Sequence, residues 1–237
     1  NDVLALELDG SSDTGARLLA HPQTREAGAP PVVLFDTDAG RYFAARSAWV
    51  GTSGGGEPLL QREAGVREAV LAEGAADVSA HFVATTAEGL QLRRTYTLAR
   101  GGYALRVRDE LVNAGATPWT GMVYRQLLRN PPPAKGGFTN PEAFSLSGAA
   151  WYSPQEKYEK RKYPDFVDDG PLNQQVTGGW VALSQHYFLA AWVPQEDQAA
   201  LYSLGVDGLL HRIEARGPQI TLAPGQRFSS EATLWLG

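Results

Sequence analysis

With 237 residues, 43% of them hydrophobic, the chain can bury a sizeable core as one large all-β domain or two smaller ones. Its 21 basic and 26 acidic residues leave a formal charge of −5, which argues against a general nucleic-acid binder. The absence of cysteine excludes disulfides, thiolate catalysis and zinc sites built on sulfur.

The first extended segment is VLALELD (3–9), which alternates apolar and polar residues. VSAHFVAT (78–85) and LQLRRTYTL (90–98) follow, joined by TAEG, a hairpin turn in which Gly89 supplies a positive φ. In YALRVRDELV (103–112), Tyr103, Leu105 and Val107 point one way and Arg106, Arg108 and Glu110 the other, a strand with one wet face. NAGATPW turns the chain, and TGMVYRQLL resumes extended structure. FSLSGAAWY (144–152) reads as a strand, and residues 178–194, GGWVALSQHYFLAAWVP, as two strands around a bend. ALYSLG, LLHRIEAR, PQITLAPGQ and RFSSEATLWLG complete the series.

No segment carries a helical stripe over three turns, so the expected fold class is all-β, a large twisted β-sandwich with one or two short helical turns. No apolar run reaches the roughly 20 residues of a membrane span, since residues 180–194 are interrupted by Ser184, Gln185 and His186. The N-terminus has no basic stretch leading into an apolar one, so no signal peptide is expected there. The loops TSGGGEP (52–58) and NPPPAKGGFTNPEAF (130–144) are long, but neither marks a boundary, and residues 1–237 read as one domain.

Motifs that would carry chemistry are weak. His21, His81, His186 and His211 lie far apart without metal-ligand spacing. His81 and His186 fall inside apolar strands, where a hydrogen-bonded structural imidazole is expected, and His21 precedes Pro22 in a turn. GTSGGGEP lacks the Lys-Ser/Thr of a phosphate loop, and there is no G-x-S-x-G elbow. Asp168 and Asp169 read as a solvated turn. The six tryptophans sit in or beside predicted strands, so core filling is expected before a sugar-stacking platform.

One stretch is unusual. SPQEKYEKRKY (153–163) holds three of the four lysines in a chain with 17 arginines. Ser153, Pro154 and Glu156 form an S-x-x-E capping box, and Glu156–Lys160 is an i, i+4 pair, which together predict a short helical turn starting near Pro154. Beyond it, Pro164 drives Tyr163 away from helical geometry. Lys157, Lys160 and Lys162 are expected to be exposed. With Tyr158 and Arg161 they form the candidate contact for a protein partner.

GAAWYSPQEKYEKRKY followed by GGWVALSQHYFLAAWVP resembles the large periplasmic domain of the YidC/Oxa1/Alb3 family of membrane protein insertases. NDVLALELD resembles the strand that opens that domain, TYTLARGGYALRVRDELVNAG its strand–turn–strand pattern, and ATLWLG its closing strand. HPQTREAGAPP and residues 130–144 match less well. The family's transmembrane machinery continues beyond the final LWLG.

The resemblance implies a galactose-mutarotase-like β-supersandwich on the periplasmic face of the inner membrane of a Gram-negative bacterium. It also implies contact with SecD/SecF and the Sec translocon, and transient contact with nascent membrane-protein segments. No catalytic residues, cofactor or metal are expected. The alternative is a carbohydrate-binding or aldose-epimerase-like module, which requires exposed aromatics on a concave face and an adjacent His–carboxylate pair.

Overall fold

The computed structural model describes residues 1–10, 12–52, 57–63, 68–133, 146–185 and 187–237. Two nine-stranded sheets face each other across the core. The first sheet runs in the order β1 (Leu4–Leu8), β2 (Ser12–Pro22), β4 (Phe43–Gly51), β9 (Trp119–Arg129), β16 (Leu210–Arg216), β15 (Ala199–Asp207), β12 (Asn173–Thr177). To this path, β3 (Pro31–Phe35) adds beside β2 and β17 (Ile220–Leu222) beside β9. The second sheet runs β11 (Lys157–Lys162), β10 (Ser147–Ser153), β13 (Trp180–Gln185), β14 (Phe188–Pro194), β18 (Arg227–Leu236), β8 (Ala104–Asn113), β7 (Leu90–Ala99), β6 (Asp77–Thr85), β5 (Gln61–Arg62). This is the β-sandwich that the alternating segments predict.

The β6–β7 hairpin forms as expected. Gly89 sits at φ +88°, and a Cβ there would meet the backbone of Gly115 at 2.7 Å, so the turn requires glycine twice over. In β8, Leu105, Val107, Asp109 and Leu111 are buried while Arg106, Arg108 and Glu110 are exposed.

The strands of residues 12–51 are not visible as alternation. β4, FAARSAWVG, is largely buried on both faces because Ala44 and Ala48 stand on the side away from the core with only Arg46 as a polar member, so its sequence does not alternate. His21 lies within β2 rather than in a turn.

The core has an apolar region on either side of a polar layer. A large cluster includes Phe35, Phe43, Leu127, Trp151, Trp192 and Leu234, and a smaller one is built on Trp49, Leu92, Leu111 and Trp119. Arg94 and Asp109 are paired directly across β7 and β8 and are 0% and 1% exposed. Arg94 donates from Nε to one Asp109 oxygen and from Nη2 to the other, both at 2.7 Å, and Trp49 Nε1 of the opposite sheet donates to the same carboxylate at 2.8 Å. Desolvation pulls the Arg94 guanidinium down, but the Asp109 charge more than offsets it, so the group stays firmly ionised. A second buried guanidinium, Arg125 on β9, donates to Ser230 Oγ of β18 at 2.9 Å. Burial pulls Arg125 down to about 10, with the Asp109 charge opposing and the Arg94 charge adding to the shift.

Candidate docking surfaces

Ser153 keeps the expected cap but not the expected helix. Its Oγ accepts the Glu156 backbone N–H at 2.9 Å, and the chain then turns back as a hairpin into β11 instead of continuing helically. Lys157 makes the reversal at φ +66°, the sole positive-φ non-glycine among the described residues. A strand pairing from Lys157 to Lys162 against Gly148–Ser153 outweighs the local cap, since β10 buries Ala149, Trp151 and Ser153 and offers a full row of backbone partners. The Glu156–Lys160 pair therefore does not form. Glu156 accepts instead from Gln174 Nε2 at 2.6 Å. The short helix lies just downstream: α1, Asp165–Asp168, starts from Pro164 and ends at Asp168, so Asp168 and Asp169 mark a helix end rather than a simple turn.

β11 is the edge strand of its sheet. Lys157, Lys160 and Lys162 are exposed, as is Tyr158 at 53%. Lys157 Nζ reaches back to the Pro154 carbonyl at 2.8 Å. Arg161 behaves differently from its neighbours. It points toward the core side, its guanidinium 5.9 Å from the Trp151 ring, and it donates to the Gly170 carbonyl at 2.5 Å with Asp169 at 3.9 Å. Arg161 thus pins the segment after α1, and the side chains left to meet a partner are Lys157, Tyr158, Lys160 and Lys162. On the outer face, Tyr158 and Trp180 flank Tyr152, with Tyr152 and Trp180 stacked at 6.4 Å and 14°.

A second feature is an apolar groove of about 450 Å³ between the open edge of β1 and strands β5 and β6. Leu4, Leu6, Leu8, Val78 and Phe82 line it, with Arg62, Glu63 and His81 adding polar atoms. Leu19 N–H bonds to the Val3 carbonyl, so the odd-numbered residues of β1 face β2 and the Leu6 backbone faces the open edge. This groove was not legible in sequence, because which strands end up at edges is decided by topology.

Among the described residues, the contacts of the histidines do not pair an imidazole with a carboxylate. His81 Nδ1 lies 3.1 Å from Thr95 Oγ1, His21 Nε2 lies 3.3 Å from the Tyr103 hydroxyl, and His211 packs edge-on to Tyr163 and Phe166. His186 and residues 53–56 and 134–145 lie outside the described residues. Trp49, Trp119, Trp151 and Trp192 are buried, and Trp180 gives its ring face to Tyr152. Trp235 is exposed at 45% on an outer face. The outer face of the other sheet holds a self-satisfied group in which Glu214 accepts from Gln126 and from Arg216 Nε and Nη2.

His211 carries a pH prediction. Burial, with the Tyr163 and Phe166 rings packed against it, lowers its pKa from 6.5, and backbone hydrogen bonds at Leu209 and Tyr163 oppose the shift. The unfolded chain therefore binds the proton more readily. The resulting stability is complete above about pH 6.5 and falls as pH drops through the lowered folded value. Urea midpoints at pH 7.5 and 5 should differ by less in His211→Phe than in the native chain. An equal difference in both would assign the pH dependence elsewhere.

The YidC periplasmic domain model matches residues 1–237. The chain belongs to the YidC periplasmic domain family. The membrane protein insertase YidC of Xanthomonas euvesicatoria pv. vesicatoria is 46% identical over 241 residues, covering 100% of this chain and 42% of that protein. The insertase YidC of Stenotrophomonas maltophilia is 44% identical over 240 residues, again covering 42% of its length. The chain therefore spans about two-fifths of the curated relatives it matches.

Among solved structures, a galactose mutarotase related enzyme from Lactobacillus acidophilus aligns over 100% of this chain and 95% of its own, with a TM-score of 0.59 at 11% identity. An α-galactosidase AgaA variant from Geobacillus stearothermophilus aligns over 99% of this chain and 40% of its own, with a TM-score of 0.54 at 12% identity. These likenesses carry the fold, a mutarotase-like supersandwich, and no activity. The YidC family places the domain on the periplasmic side of the inner membrane. No helix among the described residues is long and apolar enough to cross a membrane.

Proposed function

We propose that residues 1–237 form one domain that serves a YidC-type insertase as a non-catalytic docking and scaffold module. It holds SecD/SecF of the Sec translocon through the β10–β11 edge while membrane proteins are inserted. The observation that carries this reading is the concentration of three of four lysines on one exposed edge strand of an anionic chain. Lys157, Tyr158, Lys160 and Lys162 are the contact residues, and Arg161 braces the strand from behind. The β1 groove gives an extended apolar segment of a nascent client a place to rest, by adding a strand at the free β1 edge.

Edge lysines also discourage sheet-to-sheet aggregation, and the two roles separate by charge reversal. The Lys157→Glu, Lys160→Glu, Lys162→Glu triple variant keeps a charged edge, so it should remain folded and unaggregated. It should lose co-purification with SecD/SecF if those lysines dock an acidic surface. Undiminished co-purification would reduce the lysines to edge protection.

A further inference from the structure

The polar layer inside the sandwich has more donors than acceptors. Arg94 Nη1 donates to the Ser47 carbonyl at 2.6 Å and the Gly10 carbonyl at 3.2 Å, and the Asp109 carboxylate is taken up by Arg94 and Trp49. Ser47 Oγ accepts from Arg94 Nη2 at 3.3 Å, and Ser230 Oγ accepts from Arg125 Nη2 at 2.9 Å. Each hydroxyl therefore still has its own proton to give. Arg125 Nε is buried with no partner. Among the described residues no acceptor meets these three donors.

They also belong to one layer. Ser47 sits directly opposite Arg125 across β4 and β9, while Ser230, Asp109 and Arg94 sit side by side across β18, β8 and β7. All five side chains belong to buried residues, none more than 3% exposed. The layer holds two guanidiniums against one carboxylate. An uncompensated cation in such a place is costly, and a neutral acceptor would answer the hydrogen bonds but not the charge.

We propose that this layer binds a small monovalent anion of the halide class, held by Arg125 Nε, the Ser47 and Ser230 hydroxyls and the excess positive charge. One uncompensated guanidinium asks for a single negative charge, and the burial of all five side chains favours a compact ion. The site is independent of the docking role, since it lies inside the sandwich and not on the β11 edge.

Thermal unfolding at fixed ionic strength, with sodium chloride or bromide replacing sodium gluconate, tests it. A hundredfold rise in halide should raise the Tm by roughly 5 °C. The slope should vanish in Arg125→Met, shrink in Ser230→Ala, and persist in the exposed control Arg106→Met. A bromide-soaked crystal should show an anomalous peak beside Arg125. A Tm indifferent to halide, or one rising equally in the native chain and Arg125→Met or Ser230→Ala, would mean that water fills the layer and would overturn the assignment.

Discussion

Asp109→Ala should destabilise the domain by about 3–5 kcal/mol, among the largest losses of any single substitution. The carboxylate is 1% exposed and is the acceptor for both Arg94 and Trp49 Nε1. Removing it strands two guanidiniums in the interior without the carboxylate charge that opposes the cost of their burial. Asp109→Asn should recover only part of the loss, since the amide keeps one acceptor oxygen but not the charge. Arg125→Met runs the other way. It leaves the Arg94–Asp109 pair intact and neutral, and in halide-free buffer its cost should stay within about 1 kcal/mol of zero or turn into a gain. Urea midpoints of the three variants decide this. A loss in Arg125→Met as large as that in Asp109→Ala would show that the layer depends on packing rather than on charge balance.

Trp192→Ala should be comparably severe, at about 3–5 kcal/mol. Trp192 is 1% exposed, packs in the larger core cluster, and ties the sheets together by donating from Nε1 to the Gln126 carbonyl of β9 at 3.0 Å. The contrast is Trp235 on the neighbouring strand β18, which is directly opposite Ala191 and points outward at 45% exposure. Trp235→Ala should cost no more than about 1 kcal/mol. Equal losses in denaturant titrations would mean that the outer face of this sheet carries packing of its own.

The same inward–outward rule explains what the sequence disclosed. Strands with one wet face, such as β7 and β8, were plain from alternation, and the turn at Gly89 followed from its neighbours. Arg94 was legible in principle: in LQLRRTYTL it shares parity with Leu90, Leu92, Tyr96 and Leu98, as Asp109 does with Leu105, Val107 and Leu111. A charge at an inward position on each of two adjacent strands is the signature of a buried pair. β4 was hidden because alanines stand on both its faces and its two polar residues, Arg46 and Ser47, are adjacent and so fall on opposite sides.

The lysine segment departs from its sequence expectation for a different reason. Its cap was real, but local capping, worth about 1 kcal/mol, cannot compete with a six-residue ladder to β10. The exposed lysines were anticipated. Their place on a sheet edge, and the turning of Arg161 toward Trp151 and Gly170, were not, because edge and face are properties of the assembled sheet.

Binding of the 237-residue chain to SecD/SecF, measured with and without the lysines, tests the proposed docking through the β11 edge most directly. Reversing Lys157, Lys160 and Lys162 to glutamate should weaken binding at least tenfold and flatten its salt dependence, with the circular dichroism spectrum unchanged. Native-strength binding by the folded triple variant would contradict the account and move the docking surface elsewhere on the sandwich.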